Sequence, residues 1–338
     1  MQLSEAAARF AADLAALWPE EEREGRPLGL AVSGGPDSLA LLLLAAEAFK
    51  GSGPGRIAVA SVDHGLRPEA AAEVALAGRI AGERGIPFTP IRVDLAPGNL
   101  LAEARSARYA ALARWARESG LGAVATAHHA DDQAETLLMR LNRGSGLAGL
   151  AGVRPRTRIG GSETPLLRPL LGWRKAELVA IGAAAGIVPA RDPSNTDPAF
   201  DRARIRAGLA GAEWLDPVQI AASAAHIAEG WQALEWYAEL DWHEMVLREA
   251  ADSGTPGFSY CANVPRVIAI ETILRIIREL GGHATRAEAA RAWERLWAGE
   301  NASLGGVLAV PGTEKVEKVG VMMRVWRFRP EPARGSVN

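Results

Sequence analysis

Six consecutive residues, Ser33-Gly34-Gly35-Pro36-Asp37-Ser38, carry the sharpest chemical signal in the chain. Glycines permit positive φ and close backbone approach, and serine hydroxyls with successive N–H groups at a helix start form a nest for anions. A chain of phosphates suits such a nest. The run is not a Walker A loop, which needs a lysine before its Ser/Thr; the nearest lysine is Lys50. It is not GxGxxG either. An aspartate inside the loop would repel phosphate, so Asp37 makes sense chiefly as a ligand of Mg²⁺ carried by that phosphate. Read as structure alone, the same residues are a tight turn with Asp37 as a helix N-cap.

Three further groups could serve the same site. His128-His129-Ala130-Asp131-Asp132-Gln133-Ala134-Glu135-Thr136 follows a short apolar run. Asp131, Asp132 and Glu135 could complete a Mg²⁺ site, and a histidine could orient or deprotonate a nucleophile; alternatively the acids are an N-cap and a first-turn dipole partner. Val62-Asp63-His64-Gly65-Leu66-Arg67 ends another apolar run, where a nucleotide's base and ribose are commonly held or where a plain turn sits. Residues 140–175 carry Arg140, Arg143, Arg154, Arg156, Arg158, Arg168, Arg174 and Lys175 against Glu163 alone, a local charge of +7 apt for a phosphate backbone. Only four of the chain's 38 basic residues are lysine, so a single arginine means little and a solvated Arg-rich surface remains the competing reading.

These residues need a scaffold, and the hydrophobic pattern supplies one. Leu28–Val32, Ile57–Val62, Phe88–Val93 and Ala123–Ala127 read as buried strands. Helices are expected between and after them, at 37–49, 70–84, 101–119 and 131–141, with an amphipathic helix over 2–18 in front. Four strand–helix alternations predict a doubly wound, mostly parallel α/β sheet. In such a sheet ligands bind at the carboxyl ends of strands, where the Ser-Gly-Gly loop and the His/Asp cluster both fall. Residues 154–164 suggest a hairpin or loop, and 174–186 a helix. From Pro217 to Trp297 the pattern is wholly helical, with Trp231, Leu234, Trp236, Leu240 and Trp242 expected in the core; Gly305–Phe328 alternates like strands and 330–338 reads as a frayed tail.

With 338 residues, two domains are expected, at 1–212 and at 217–330, the second mainly helical and ending in short strands. A composition of 48% hydrophobic and 23% charged residues excludes a disordered chain, and the net charge of −2 confines any polyanion site to a local patch. One cysteine, Cys261, excludes a disulfide framework, a zinc ribbon and a CxxC redox pair. No apolar run of 18 or more residues and no signal-like start occurs, so a cytoplasmic protein without membrane attachment is expected.

Taken in order, these motifs resemble the PP-loop (N-type ATP pyrophosphatase) superfamily and, within it, the tRNA(Ile)-lysidine synthase family. The resemblance covers about residues 28–210 and rests on the Ser33–Ser38 loop, Asp63–Arg67, Glu103-Ala104-Arg105-Ser106-Ala107-Arg108-Tyr109 and the His128–Thr136 run. It continues through Arg143–Leu150, Arg168-Pro169-Leu170-Leu171 and Asp192-Pro193-Ser194-Asn195. The resemblance implies a Rossmann-like ATPase fold and a ligase that uses ATP and Mg²⁺. Its reaction would adenylate C2 of the wobble cytidine in an isoleucine tRNA with a CAU anticodon, releasing pyrophosphate. Free L-lysine then displaces AMP through its ε-amine. By position, Ser33, Gly34, Gly35, Pro36, Asp37 and Ser38 would cradle pyrophosphate, with Asp63 and His64 also on the nucleotide. Asp37 and Asp132 would hold the metal, Arg108 would offset phosphate charge, and His128 would sit near the reacting base. Arg143, Arg154, Arg156, Arg158, Arg174 and Lys175 would face tRNA, together with the C-terminal domain. Where the family carries Arg-Asn-x-Ile-Arg, this chain has Arg202-Ala203-Arg204-Ile205-Arg206, and its length is expected to leave out the extra C-terminal domain of longer family members. Sulfur-inserting and amidotransferase-coupled relatives need cysteines this chain lacks. A nucleotide-binding regulator on the same fold would have lost its carboxylates, yet Asp37, Asp131 and Asp132 are present. The oligomeric state stays open, a homodimer included.

Overall fold

The computed structural model describes residues 2–53, 55–63, 65, 69–93, 100–188, 201–249, 256–316 and 320–331. The chain divides into two compact units, Met1–Glu229 and Gly230–Asn338. The division falls inside a helix of 29 residues rather than in the 212–217 stretch where sequence suggested it.

The first unit opens with helices α1 (Leu3–Leu17) and α2 (Glu20–Arg23), then alternates strictly: β1 (Leu28–Ala31), α3 (Pro36–Ala48), β2 (Ile57–Asp63), α4 (Glu69–Gly82), β3 (Phe88–Arg92), α5 (Leu100–Glu118), β4 (Ala123–Ala125) and α6 (Ala130–Asn142). A short helix α7 (Leu147–Leu150) precedes the hairpin strands β5 (Arg156–Arg158) and β6 (Pro165–Leu167), and α8 (Lys175–Ala184) and α9 (Asp201–Ala210) follow. The sheet runs β3-β2-β1-β4-β6-β5, parallel except for the antiparallel edge strand β5. Residues 154–164 thus supply the hairpin that their Gly-containing sequence allowed.

Helices cover both faces, as a parallel sheet requires. On one side Leu39, Leu41, Leu42, Leu43 and Leu44 of α3 pack with Phe10 and Leu14 of α1 and Leu178 of α8. A helix apolar nearly all round can only be central, and α3 is. On the other side Leu112, Trp115 and Ala116 of α5 pack on Val124 and Leu166. The strand order reverses between β1 and β4, which creates a crevice above their carboxyl ends.

Helix α10 (Pro217–Met245) carries the chain into the second unit. That unit contains β7 (Val246–Glu249), β8 (Gly257–Cys261), α11 (Arg266–Glu279), α12 (Arg286–Trp297), β9 (Ala302–Leu304), β10 (Val307–Val316) and β11 (Val321–Pro330). Its antiparallel sheet runs β7-β8-β11-β10-β9 over a core of Tyr260, Ile273, Ile276, Trp326 and Phe328. Two expectations need correction. The wholly helical stretch contains β7 and β8, whose Phe258-Ser259-Tyr260 alternation is a strand pattern, and β10 and β11 are ten residues each rather than short. Trp231 is buried and Trp242 packs on the core, but Trp236 is 69% exposed and Leu240 is exposed too. Eleven residues are three helical turns and return to the same face; five and nine residues turn away from it.

Candidate functional site

Directly after β1, the Ser33–Ser38 loop turns the chain into α3. Gly34 adopts φ +84°, and a Cβ there would lie 2.6 Å from the Glu73 carbonyl oxygen, so both conformation and space demand glycine. Ser38 Oγ accepts the Ser33 N–H at 3.1 Å and donates to the Gly35 carbonyl at 2.9 Å, closing the loop on itself. Since its proton is spent on Gly35, the 3.2 Å contact between the two hydroxyls has Ser33 as donor. Pro36 occupies the first turn of α3, where no N–H is needed.

The second wall follows β4. Its polar residues are Thr126, His128 and, one turn into α6, Asp132. They meet Ser33, Gly35, Asp37 and Ser38 in one small cavity of about 160 Å³, which Arg108 of α5 also lines. The nest, the His/Asp cluster and Arg108 therefore converge at the β1/β4 crevice, although 75 residues of sequence separate Ser33 from Arg108. Gly34 and Pro36 shape the loop without lining the cavity, and Asp63 instead accepts the Gly65 N–H at 2.8 Å in the turn after β2. His64 and the Asp192–Asn195 run lie outside the described residues.

The carboxylates are not equivalent. Asp37 Oδ1 is buried and has no hydrogen-bond partner in the structure. A buried bare carboxylate oxygen beside a phosphate nest has the chemistry of a hard-cation ligand. Asp132 keeps Oδ1 on the Arg202 guanidinium at 2.7 Å, and Oδ2 accepts the His129 N–H. Asp131 turns away and accepts the Lys175 N–H at 2.7 Å, 3.5 Å from Arg174. Glu135, 2% exposed, is gripped by Arg202 and Arg206, each at 2.6 Å. Burial pushes the Glu135 carboxyl up, but the two guanidiniums outweigh it and hold it below the ordinary range. Of the acids proposed for a metal, then, Asp37 and Asp132 face the cavity while Asp131 and Glu135 are structural. Among the described residues no cluster of three ligating side chains occurs, so a metal here would complete its shell with phosphate and water.

The two histidines differ just as sharply. His128 contacts Thr126 Oγ1 through Nδ1 at 2.9 Å. Burial, reinforced by the charges of Arg168, Arg108, Arg105 and Arg202, drives its pKa down to about 3, so the ring is neutral. His129, 2% exposed, caps α6 by accepting the Asp132 N–H at Nδ1, which leaves Nε2 facing Asp37 at 3.5 Å and Asp132 at 3.6 Å. Burial pulls its pKa down, but the carboxylates of Asp37, Asp132 and Asp131 prevail and raise it. Sequence reasoning missed His129 as the pin between two carboxylates, and missed Arg202 and Arg206. Both had signals: a His-x-x-Asp capping pattern, and arginines four apart opposite acids three apart.

The cation-rich segment is less free than its count. Arg143 pairs with Asp201, Arg156 with Glu22, Arg158 with Glu163, and Arg174 with Asp131 and Asp216. Most of these acids come from outside residues 140–175. Arg154 has interaction partners of its own, and Lys175 makes no ion pair among the described residues.

A PP-loop domain family model matches residues 6–213. The chain is 47% identical to a tRNA(Ile)-lysidine synthase of Novosphingobium aromaticivorans, across 99% of this chain and 96% of that protein. It is 38% identical to a tRNA(Ile)-lysidine synthase of a Bradyrhizobium species, across 91% and 90%. Among solved structures, a U34-tRNA thiolase from Methanococcus maripaludis shares the fold with a TM-score of 0.54 at 18% identity, covering 68% of this chain and 79% of that one.

Proposed function

The chain belongs to the PP-loop domain family and, within it, to the tRNA(Ile)-lysidine synthases; from that premise we propose how its own residues carry out the reaction. The activity is ATP-dependent ligation of free lysine to the wobble cytidine of a CAU-anticodon isoleucine tRNA. Its first step joins the cytidine C2 oxygen to the α-phosphorus of ATP while the bond to pyrophosphate breaks. Its second forms a bond from the lysine ε-nitrogen to C2 as the C2–O bond to AMP breaks and the amine loses a proton.

In this reading the Ser33–Ser38 loop binds the leaving pyrophosphate with its N–H groups and hydroxyls. Asp37 and Asp132 would hold Mg²⁺, with His129 fixing the spacing of the two carboxylates. The chemistry such an ion would supply there is an offset to phosphate charge that eases departure of pyrophosphate. Arg108, on the same cavity, adds a second cation. Burial above all, and the neighbouring charge of Arg105, pull its guanidinium below the ordinary range. A positive group partly stripped of water binds an anion strongly. His128 acts as a neutral hydrogen-bonding group on the base; a ring this hard to protonate is a poor proton acceptor. The lysine proton therefore leaves to another acceptor.

The observation that carries this reading is the bare, buried Asp37 Oδ1 in the nest, on the cavity that His128 and Asp132 also line. A sulfur-transfer reading needs thiols, and the chain has one cysteine, in β8 of the second unit. Incubating the protein with ATP, Mg²⁺, lysine and the CAU isoleucine tRNA tests the proposal. AMP release that requires both lysine and tRNA supports it; AMP release indifferent to either contradicts it. No helix of the described residues is long and apolar enough to cross a membrane.

A further inference from the structure

A cavity of about 540 Å³ opens between α5 and the β5–β6 hairpin, lined by Arg105, Tyr109, Thr157, Arg158 and Arg168 and by no acidic residue. Arg168 is 5% exposed. Its Nη1 donates to the Arg154 carbonyl and to Thr157 Oγ1, its Nε is buried without a hydrogen-bond partner, and no carboxylate pairs with it among the described residues. A buried guanidinium without a counter-ion is costly, and such a cost persists where an anion arrives in function. Arg105 stands 5.1 Å over the Tyr109 ring, an exposed cation on an aromatic face. Arg158 reaches the same cavity, held by an exposed pair with Glu163 that exchanges readily. The hairpin is built close to α5. Gly160, at φ +50°, lies where a Cβ would come within 2.9 Å of the Tyr109 carbonyl oxygen.

Arg105 lies one turn before Arg108 on α5, and the Leu167 carbonyl beside Arg168 accepts the Thr126 N–H; Arg108 and Thr126 line the His128 cavity, so this cavity adjoins the site where the base is activated. Three substrates take part in the reaction. ATP already has the nest. Free lysine would bring two ammonium groups, and the cavity offers no acid for either. An RNA strand brings one phosphodiester per nucleotide and bases that stack on aromatic rings and guanidinium planes. We propose that this cavity seats the RNA strand flanking the target cytidine, with Arg168 and Arg105 on a backbone phosphodiester and the Tyr109–Arg105 stack against a neighbouring base. This rests on the lysidine-synthase reading and adds a specific RNA seat to it.

Arg168 ties the hairpin together and its removal would disturb folding, so the exposed Arg105 is the primary probe. Binding of an anticodon stem–loop RNA is measured for wild type, Arg105→Ala and Tyr109→Leu between low and moderate salt. Arg105→Ala should weaken RNA binding about tenfold and reduce the slope of log affinity against log salt by about one. Tyr109→Leu should weaken binding with the salt slope unchanged. ATP affinity and the KM for lysine should not move in either variant. Unchanged RNA affinity with a raised lysine KM would overturn the proposal in favour of an amino-acid seat. Unchanged RNA affinity and unchanged lysine KM would overturn it in favour of a purely structural cavity. Lysine incorporation by the wild type separates the two layers: where it occurs and Arg105→Ala binds RNA normally, only the cavity assignment fails.

Discussion

The Ser33–Ser38 nest and the cation-rich segment 140–175 manage charge in opposite ways. In the nest six neighbouring residues and their own backbone make the site, and the one carboxylate among them keeps an oxygen bare. In the cation-rich segment the count of charges is high, yet Arg143, Arg156 and Arg174 are met by Asp201, Glu22, Asp131 and Asp216 from elsewhere in the chain. Arg168, by contrast, is buried with no carboxylate against it among the described residues. Unsatisfied groups, rather than numerous ones, mark where a ligand is expected. Surface pairs cost little to make or break, whereas a buried group without a partner must gain its return from something that binds.

That contrast can be broken or sharpened by substitution. The largest effect is expected from Asp37→Ala, which should lower the rate of AMP formation by about a thousandfold, with RNA affinity unchanged; a loss below tenfold would remove the bare carboxylate from the chemistry. Next, His128→Ala should slow product formation about a hundredfold, with His128→Asn retaining more because it still offers a hydrogen bond. The pH–rate profile should show no inflection near 6.5 that disappears in either variant. The sign for stability runs with the lowered pKa: between about 3 and 6.5 the unfolded chain binds a proton that native His128 refuses, so this residue costs stability as pH falls through that window.

Arg206→Ala should destabilise the first unit by about 2 kcal/mol, since it strips a guanidinium from the buried Glu135. Glu135 contributes its stability above the ordinary carboxyl value of 4.5 and loses it as pH falls through its lower native pKa. Thermal unfolding of wild type and Glu135→Gln should therefore diverge at neutral pH and converge in acid; parallel curves would discount the pair. Smaller again, reversing charge at Arg154, Arg156 and Arg158 together should weaken tRNA binding several-fold and flatten its salt dependence, while Arg156→Ala alone should change affinity less than about twofold. A single-site effect at Arg156 as large as that at Arg105 would erase the distinction between paired and unpaired cations.

The nest was legible because its physics is local: strand, glycines, serines and helix start are consecutive. The alternation of four buried runs with helices likewise carried the parallel sheet, and the all-round apolar pattern of residues 39–44 placed α3 at its centre. What sequence could not show is pairing at a distance. Glu135 looked like a metal ligand until α9 brought Arg202 and Arg206 against it, 67 and 71 residues away. The +7 segment looked open until its partners arrived from α2, α9 and the turn before α10. In the second unit, apolar richness hid the switch from helical to strand periodicity at Phe258–Tyr260, and a tally of tryptophans hid that Trp236 and Trp242 lie on different faces.

The most direct test of the account compares lysine incorporation into the CAU isoleucine tRNA by wild type, Asp37→Ala and Arg105→Ala as tRNA concentration rises. Saturating tRNA should return Arg105→Ala close to the wild-type rate and leave Asp37→Ala at background. Rescue of Asp37→Ala by tRNA, or an Arg105→Ala rate that stays depressed at saturation, would contradict the division between a nest that does the chemistry and a cationic cavity that holds the RNA.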